Sequence, residues 1–368
     1  MGTPEFAVET LRALVENGYN VVAVVTQPDK PVGRHGSVLQ PSEVKKYAVE
    51  HGLPVLQPEK MKDPTFIEQL RSYNANLQVV VAFRMLPEVV WAMPEYGTFN
   101  VHAALLPQYR GAAPINWAVI NGETETGVTT FFLDHDIDTG RIIMKKTFAI
   151  PDEADVEYVY DGLMHLGAQL CLETLDAIIA ADGHPATIAQ DDPQFSILNS
   201  HCEPHSDLQV GEFSILNSHL STINSQFSIL NSQFSPSEAL KPAPKIFKET
   251  CEINWTKTVK QVYDFVRGLS PVPGAWTTLV APDGKETVLK VYKTVKGSGL
   301  MVHGSEGMVH DAGTLVVKDK SLFVACADGL LEIVELQLAG KKRMAARDFL
   351  NGMKNIETYH VKKNSDLI

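Results

Sequence analysis

Three polar side chains near the middle of the chain have types and a spacing that suit acyl or one-carbon transfer. Asn100 and His102 stand two apart at the end of an apolar run, and Asp138 follows a second apolar, β-branched run, GVTTFFL. Residues i and i+2 of a strand point to the same face. Because two neighbouring strands can bring their ends to one sheet edge, we expect the three side chains to lie together.

Together these groups provide the chemistry of a transfer reaction. An amide can donate to a carbonyl oxygen that gains negative charge, an imidazole can move a proton near neutral pH, and a carboxylate can orient the imidazole. Each residue alone also has a simpler interpretation. Asn and Asp are common turn formers, and a single histidine in a chain with 12 of them is commonly structural.

The sequence around these residues forms a longer pattern: NVHAALLPQYRGAAPI, then TGVT, then DIDTG. This pattern resembles the formyltransferase family that uses 10-formyltetrahydrofolate. The resemblance implies that Asn100, His102 and Asp138 are catalytic, that 10-formyltetrahydrofolate is the co-substrate and that no metal is needed. Within the family, the pattern is closest to the members that formylate methionyl initiator tRNA for translation initiation.

Two segments are implied to bind the folate. One is RMLP, which follows the apolar run NLQVVVAF, and the other is ALLP, where the family usually has SLLP and therefore one more hydroxyl. Both follow predicted strands, and ligands of open α/β sheets bind at such positions. The side chains of Met85 and Leu86 fit a plain core equally well. The implied folate-binding residues are Arg84, Met85, Leu86, Ala104, Leu105, Leu106 and Pro107.

The implied tRNA contacts lie in two other places. Residues 27–40 are rich in Pro and Gly, which indicates a surface loop. The loop resembles an insertion that contacts the acceptor stem of initiator tRNA, with Arg34 in the place of a key arginine. Lys245 belongs to a group of basic residues in the second half of the chain. For both residues, a solvated surface side chain is the simpler alternative.

The chain of 368 residues is long enough for two domains. The resemblance implies a Rossmann-like α/β catalytic domain over residues 1–190 and an OB-like β-barrel domain that binds tRNA over residues 242–368. Short apolar runs separated by turns over 276–340 favour such a barrel. The patterns predict strands at 21–27, 76–83, 127–133 and 141–150, and helices at 41–50, 113–122 and 155–181.

Two features depart from the family. Relatives carry a short apolar strand before the turn with which this chain begins, so the first strand is expected to be missing. The explanation is either a start codon chosen too late or a truncated, poorly folding product. Residues 191–241 contain three copies of FSILNS and are interpreted as a low-complexity linker insertion. Ser and Asn fill too many positions for a coiled coil, and a docking segment is the alternative.

Composition limits the class of protein. With 44% hydrophobic and 21% charged residues, the chain is an ordinary soluble globular type, and we expect neither a membrane span nor a secretory signal. Four scattered cysteines predict reduced thiols in a cytoplasmic protein without a zinc site. A formal net charge of -12 argues against a nonspecific nucleic-acid binder, although a local basic face can still meet tRNA. We expect a monomer.

Three alternatives remain open at this point. A formyltransferase that acts on an amino-sugar nucleotide or on glycinamide ribonucleotide would carry the same three catalytic residues. The 27–40 loop and the basic second domain favour tRNA over those acceptors. A pure RNA-binding module would leave the three polar residues without a purpose. A catalytically inactive product would follow from the missing strand and the inserted repeats.

Overall fold

The computed structural model describes residues 1–32, 38–190, 239–301, 310–353 and 355–362. Arg34 and the three FSILNS copies lie outside these residues. The chain divides into two compact units, each built from several stretches of sequence. The first unit comprises residues 1–110, 127–148 and 163–242, and the second comprises residues 111–126, 149–162 and 243–368.

Strands and helices alternate along the first half of the chain, which is the pattern of an α/β fold. The helices are α1 (Glu5–Glu16), α2 (Glu43–Glu50), α3 (Pro64–Ser72), α4 (Glu88–Trp91), α5 (Pro114–Ile120) and α6 (Val156–Ala180). The strands are β1 (Val24–Val25), β2 (Lys30–Val32), β3 (Val38–Gln40), β4 (Val55–Leu56), β5 (Gln78–Val81), β6 (Thr98–His102), β7 (Glu125–Phe132) and β8 (Ile142–Ala149).

The sheet that carries the predicted site has the order β5-β6-β7-β8. Strand β6 runs parallel to β5 and antiparallel to β7, with Asn100 level with Val80 on one side and Phe131 on the other. Apolar side chains from helices α3 and α4 pack against this region in a core that includes Phe66 and Val90. The predicted α/β class is therefore confirmed for this part of the chain.

The first two residues take the place of a strand. Gly2 forms a parallel bridge with Val81 and donates to the Val25 carbonyl at 3.0 Å, so it lies between β1 and β5. A cavity of about 500 Å³ extends beside it, lined mainly by residues 19–25 and 73–81. Strand β1 is paired over only two residues, shorter than the predicted 21–27.

Helix α6 is long and apolar enough to cross a membrane by length and composition alone, but 44% of its most apolar window is buried inside the structure. Val159, Leu163, Cys171 and Ile178 are fully buried along it. The core helix of a soluble protein has the same properties. The helix was predicted at 155–181 and is observed within one residue of those bounds.

The second unit is rich in β-structure. Its later elements are α7 (Val259–Leu269), β9 (Ala275–Val280), β10 (Glu286–Met301), β11 (Leu315–Lys318), β12 (Ser321–Ala325), β13 (Gly329–Leu338), β14 (Met344–Ala345), α8 (Ala346–Gly352) and β15 (His360–Val361). The sheet has seven strands in the order β11-β12-β13-β10-β9-β15, with β14 paired to β13. This path does not by itself define the closed barrel that the sequence predicted.

Helix α7 covers one face of that sheet. Its N-terminus has a capping box in which Thr258 and Gln261 bond each other's backbone. Val262 and Val266 pack into a core around Trp255, whose indole donates to Thr277 Oγ1 at 3.0 Å. Val259 and Phe265 are partly buried against the same core.

Candidate active site

His102 and Asp138 form a largely buried pair. His102 Nδ1 lies 4.0 Å from Asp138 Oδ2, and the two side chains are 6% and 15% exposed. The other ring nitrogen, Nε2, lies 3.0 Å from the Tyr109 carbonyl oxygen. Because a carbonyl only accepts, Nε2 must carry the hydrogen, and the lone pair of the neutral ring is then on Nδ1. The nitrogen that can take a proton therefore faces the carboxylate.

Asp138 reaches this position by a route that the sequence did not predict. We expected the ends of two strands to meet at one edge. Strand β7 instead runs antiparallel to β6, so that its end at Phe132 is level with Phe99 at the start of β6. The turn over 133–140 folds back from there to bring Asp138 to His102.

The backbone of this turn is unusual. Asp138 has a φ of 56°, in the left-handed region, which Asp tolerates better than most residues. Thr139 Oγ1 donates to Asp134 Oδ1 at 2.8 Å, and this hydrogen bond connects the two sides of the turn. At its end, a Cβ on Gly140 would lie 1.7 Å from the Phe132 carbonyl oxygen. Only glycine fits there, so the turn is held against the end of β7.

Asn100 carries an unsatisfied polar atom. Its Oδ1 is buried and has no hydrogen-bond partner among the residues that the structure describes. It stands two residues before His102 on β6, so the two side chains point to the same face, as predicted. A buried acceptor without a partner costs free energy, and a bound ligand that donates to it would remove that cost.

The ALLP segment is fixed by the protein itself. Thr129 Oγ1 donates to the Ala104 carbonyl at 2.7 Å and accepts from the Leu106 amide at 3.1 Å. The Leu105 carbonyl accepts from the Gln108 amide. Ala104, Leu105 and Leu106 are buried, and Pro107 is half-buried after a cis peptide bond. The segment is thus a rigid loop next to His102.

The RMLP segment has mixed exposure. Arg84 donates from Nη1 to the Glu59 carbonyl at 2.9 Å and from Nη2 to the Pro58 carbonyl, so its guanidinium holds a neighbouring loop. Leu86 is a core residue, whereas Met85 is 72% exposed. Of these three side chains, Met85 has the most exposed surface, and Arg84 is half-buried.

Of the two predicted tRNA contacts, the structure describes one. Lys245 is exposed, and its Nζ lies 5.4 Å from the centroid of the Phe247 ring, which is itself 55% exposed. A cation and an aromatic face are presented together at this point of the second unit.

Sequence reasoning missed Lys145, on β8. It donates from Nζ to the Leu106 carbonyl, and burial lowers its pKa from an ordinary value of 10.5 to about 7. The next residue, Lys146, pairs instead with Glu173 at 2.5 Å. Alternation along β8 was the available signal, since it places Lys145 and Lys146 on opposite faces.

Comparisons with known proteins identify the family and the fold of this chain. A family model described as formyl transferase matches residues 1–175, and one described as formyl transferase, C-terminal domain matches residues 245–354. Two solved structures share the fold. A sugar 3N-formyl transferase, WlaRD, has a TM-score of 0.52 and 17% identity, and an N-formyltransferase from Helicobacter canadensis has a TM-score of 0.50 and 18% identity; each match covers 93% of this chain and 97% of the other. The class defined by fold and site is therefore that of the formyl transferases, with a Rossmann-like α/β unit.

Curated relatives narrow this class. The methionyl-tRNA formyltransferase of Parabacteroides distasonis is 54% identical over 98% of this chain and 97% of its own length. That of Bacteroides thetaiotaomicron is 50% identical over 98% and 96%. The chain belongs to the methionyl-tRNA formyltransferase family.

The close approach at Gly140 predicts a large effect for Gly140→Ala. The added methyl group must push the turn away from Phe132, and overpacking of this kind costs about 1–3 kcal/mol in stability. We expect a lower melting temperature and a lower kcat, because Asp138 moves with the turn. Gly352→Ala is the control, since a Cβ there meets nothing within 4 Å. Equal melting temperatures for the two variants would contradict the prediction.

The burial of Lys145 predicts a pH-dependent stability. Its folded pKa of about 7 lies below the unfolded value of 10.5, so the unfolded state binds more protons between these values. Stability from this residue is therefore present at high pH and is lost as pH falls through about 7. Compared with Lys145→Met, the wild type should become relatively more stable from about pH 7 to about pH 9 in urea unfolding. A constant difference between the two proteins would refute this.

Proposed function

We propose that the chain transfers the formyl group of 10-formyltetrahydrofolate to the α-amine of methionine on initiator tRNA. The observation that carries the proposal is the buried His102–Asp138 pair, in which His102 Nδ1 faces the carboxylate. His102 shares strand β6 with Asn100, whose Oδ1 has no hydrogen-bond partner among the described residues. These groups can receive a proton and bind polar hydrogens where water is largely excluded. The near-complete match to curated methionyl-tRNA formyltransferases supports the acceptor.

Asn100, His102 and Asp138 each have a separate role in the proposed formyl transfer, and the steps balance in atoms and charge. The amine nitrogen bonds to the formyl carbon, and the carbonyl electron pair moves onto oxygen, where the Asn100 amide donates a hydrogen bond. Asn100 Oδ1 accepts from the attacking amine. His102 Nδ1 takes the proton that the amine loses, and Asp138 stabilises the resulting imidazolium. The same proton then passes to N10 of the folate as the carbon–N10 bond breaks.

The folate is proposed to lie along RMLP and ALLP. The fixed backbone of ALLP supports this, because a loop that is already rigid loses little entropy on binding. Exposed Met85 would cover the ring system, whereas Arg84 and Leu86 would act by shaping the backbone. Ala104 offers no hydroxyl, so its contribution is limited to packing and to its peptide group.

The tRNA is proposed to contact Arg34 and Lys245, and the second unit is proposed to be an OB-like barrel. An isolated antiparallel bridge between Thr314 and His360, with the Val361 amide donating to the Gly313 carbonyl at 3.1 Å, supports the barrel. These residues adjoin the two outermost strands, β11 and β15, so the bridge would close the sheet. The domain assignment that accompanies this proposal is catalytic for 1–190, linker for 191–241 and tRNA-binding for 242–368.

We also infer a cytoplasmic, monomeric enzyme that acts without a membrane. The three cysteines that the structure describes, Cys171, Cys251 and Cys326, are buried free thiols, which suits a reducing compartment. Burial raises the pKa of Cys171 and of Cys326 to about 12, so both remain protonated. Light scattering of the purified chain should give the mass of one copy.

The catalytic roles predict the effect of two substitutions. Asn100→Ala should lower kcat about 10²–10³-fold, or about 2.7–4 kcal/mol, because an oxyanion donor is lost. Asp138→Asn should lower kcat about 10²–10⁴-fold, because the imidazolium loses its counter-charge. The assay is formyl transfer to purified initiator Met-tRNA, with an amino-sugar nucleotide and glycinamide ribonucleotide as alternative acceptors.

The control for this experiment is Asp136→Asn, which removes the same charge from an exposed position in the same turn. It should behave as wild type. Normal turnover in Asn100→Ala or Asp138→Asn would remove that residue from the mechanism. Transfer to a sugar or ribonucleotide amine in preference to Met-tRNA would overturn the proposed acceptor, and no transfer by the wild type would favour an inactive product.

The proposed tRNA face predicts a change in binding alone. Lys245→Ala should raise the KM for Met-tRNA, leave kcat unchanged and reduce the slope of log KM against log salt by about one unit. The control is Lys285→Ala, an exposed lysine of the same unit at a turn. If both variants change the KM equally, the effect comes from overall charge and Lys245 has no specific role.

A further inference from the structure

Gln190 is a buried polar residue that neither family model covers. It is 7% exposed, and its amide makes four hydrogen bonds. Its Oε1 accepts from Arg110 Nε at 3.0 Å and from Arg110 Nη2 at 2.6 Å. Its Nε2 donates to the Asp138 carbonyl at 2.9 Å and to the Gly140 carbonyl at 2.8 Å. Guanidinium groups only donate and carbonyls only accept, so the orientation of the amide is fixed.

These four bonds join the two halves of the site. Asp138 and Gly140 belong to the turn that folds back to His102. Arg110 follows Tyr109, whose carbonyl fixes His102 Nε2. One side chain thus connects the loop that orients the imidazole with the turn that carries the carboxylate. The Arg110 guanidinium is engaged in this connection through Nε and Nη2.

The backbone around Gln190 is itself anchored. Ile188 exchanges two hydrogen bonds with Ile142 at the start of β8, at 2.8 and 2.9 Å. Thr187 accepts from Arg141 through both its hydroxyl and its carbonyl, at 2.7 and 2.8 Å. The Gln190 amide therefore projects from a fixed support and is able to hold the strained backbone of Asp138 in place.

We propose that Gln190 is a positioning residue that sets the distance between Asp138 and His102. The inference rests on the proposed function, because it assigns Gln190 a role in formyl transfer through Asp138. Without the two donors on Nε2, the turn loses its hydrogen bonds to the Gln190 amide, and Asp138 moves relative to His102 Nδ1. A displacement of about 1 Å at a reacting centre can cost about 10²-fold in rate.

Two substitutions remove these donors with little change in volume. Gln190→Glu keeps an acceptor for Arg110 but presents a carboxylate to the carbonyls of Asp138 and Gly140. Gln190→Met removes every polar contact while filling the same space. Both should lower kcat about 10–100-fold, with the KM values for 10-formyltetrahydrofolate and for Met-tRNA changed less than about threefold, and both should alter the pH profile of kcat.

Gln169→Glu and Gln169→Met are the matched controls. They make the same changes at an exposed glutamine of helix α6 whose amide donates to Glu173, so kcat should stay at the wild-type value. Melting temperatures of all variants show whether a loss of rate follows a loss of folding. If Gln190→Met does not fold, the kcat of Gln190→Glu, which keeps the contact with Arg110, is used for the test instead.

A double substitution separates positioning from a general structural role. If Gln190 acts through Asp138, Gln190→Met should cause no further loss of kcat when added to Asp138→Asn. Additive losses would overturn the inference, and so would wild-type kcat in both Gln190 variants. Failure of the proposed function is a distinct result, since in that case Asp138→Asn alone would turn over normally.

Discussion

The antiparallel pairing of β6 and β7 is the constraint on which the site depends. It places the end of β7 beside the start of β6, which is the opposite end of that strand from His102. Asp138 can reach the imidazole only if the connecting turn folds back along the strand. The left-handed φ of Asp138, the missing side chain at Gly140 and the amide of Gln190 are the means by which this turn is held.

Holding the carboxylate in place matters because of how the imidazole is oriented. Tyr109 fixes the hydrogen on Nε2, so only Nδ1 can receive a proton, and Asp138 is the charge that faces it. At 4.0 Å the two groups are beyond hydrogen-bond distance, and their direct interaction is the attraction between charges once the ring is protonated. The arrangement favours proton uptake at one atom, which is what removal of a proton from an attacking amine requires.

Much of this could be predicted from sequence, for reasons that differ between residues. The i, i+2 spacing of Asn100 and His102 is a local property of a strand, and it placed both on one face. Helix α6 followed from a long apolar pattern, whereas the Rossmann-like α/β class followed from the family resemblance. The route taken by Asp138 could not be predicted, because strand direction depends on partners far apart in the chain. Gln190 gave no local signal, because its role depends on what the fold packs around it. For Lys145, alternation along β8 could indicate a face but not the burial that lowers its pKa.

The proposed catalytic trio of Asn100, His102 and Asp138 does not by itself determine which amine is formylated. In the proposed mechanism the three residues act on the formyl carbonyl and on one nitrogen, and these atoms are the same in a sugar amine and in methionine. Two solved proteins with this fold are described as a sugar 3N-formyl transferase and an N-formyltransferase crystallised with dTDP-3-aminofucose, at only 17% and 18% identity. Selection of the acceptor must therefore come from residues outside the trio. An exposed cation beside an exposed aromatic ring, as at Lys245 and Phe247, suits a large polyanion better than a small sugar nucleotide.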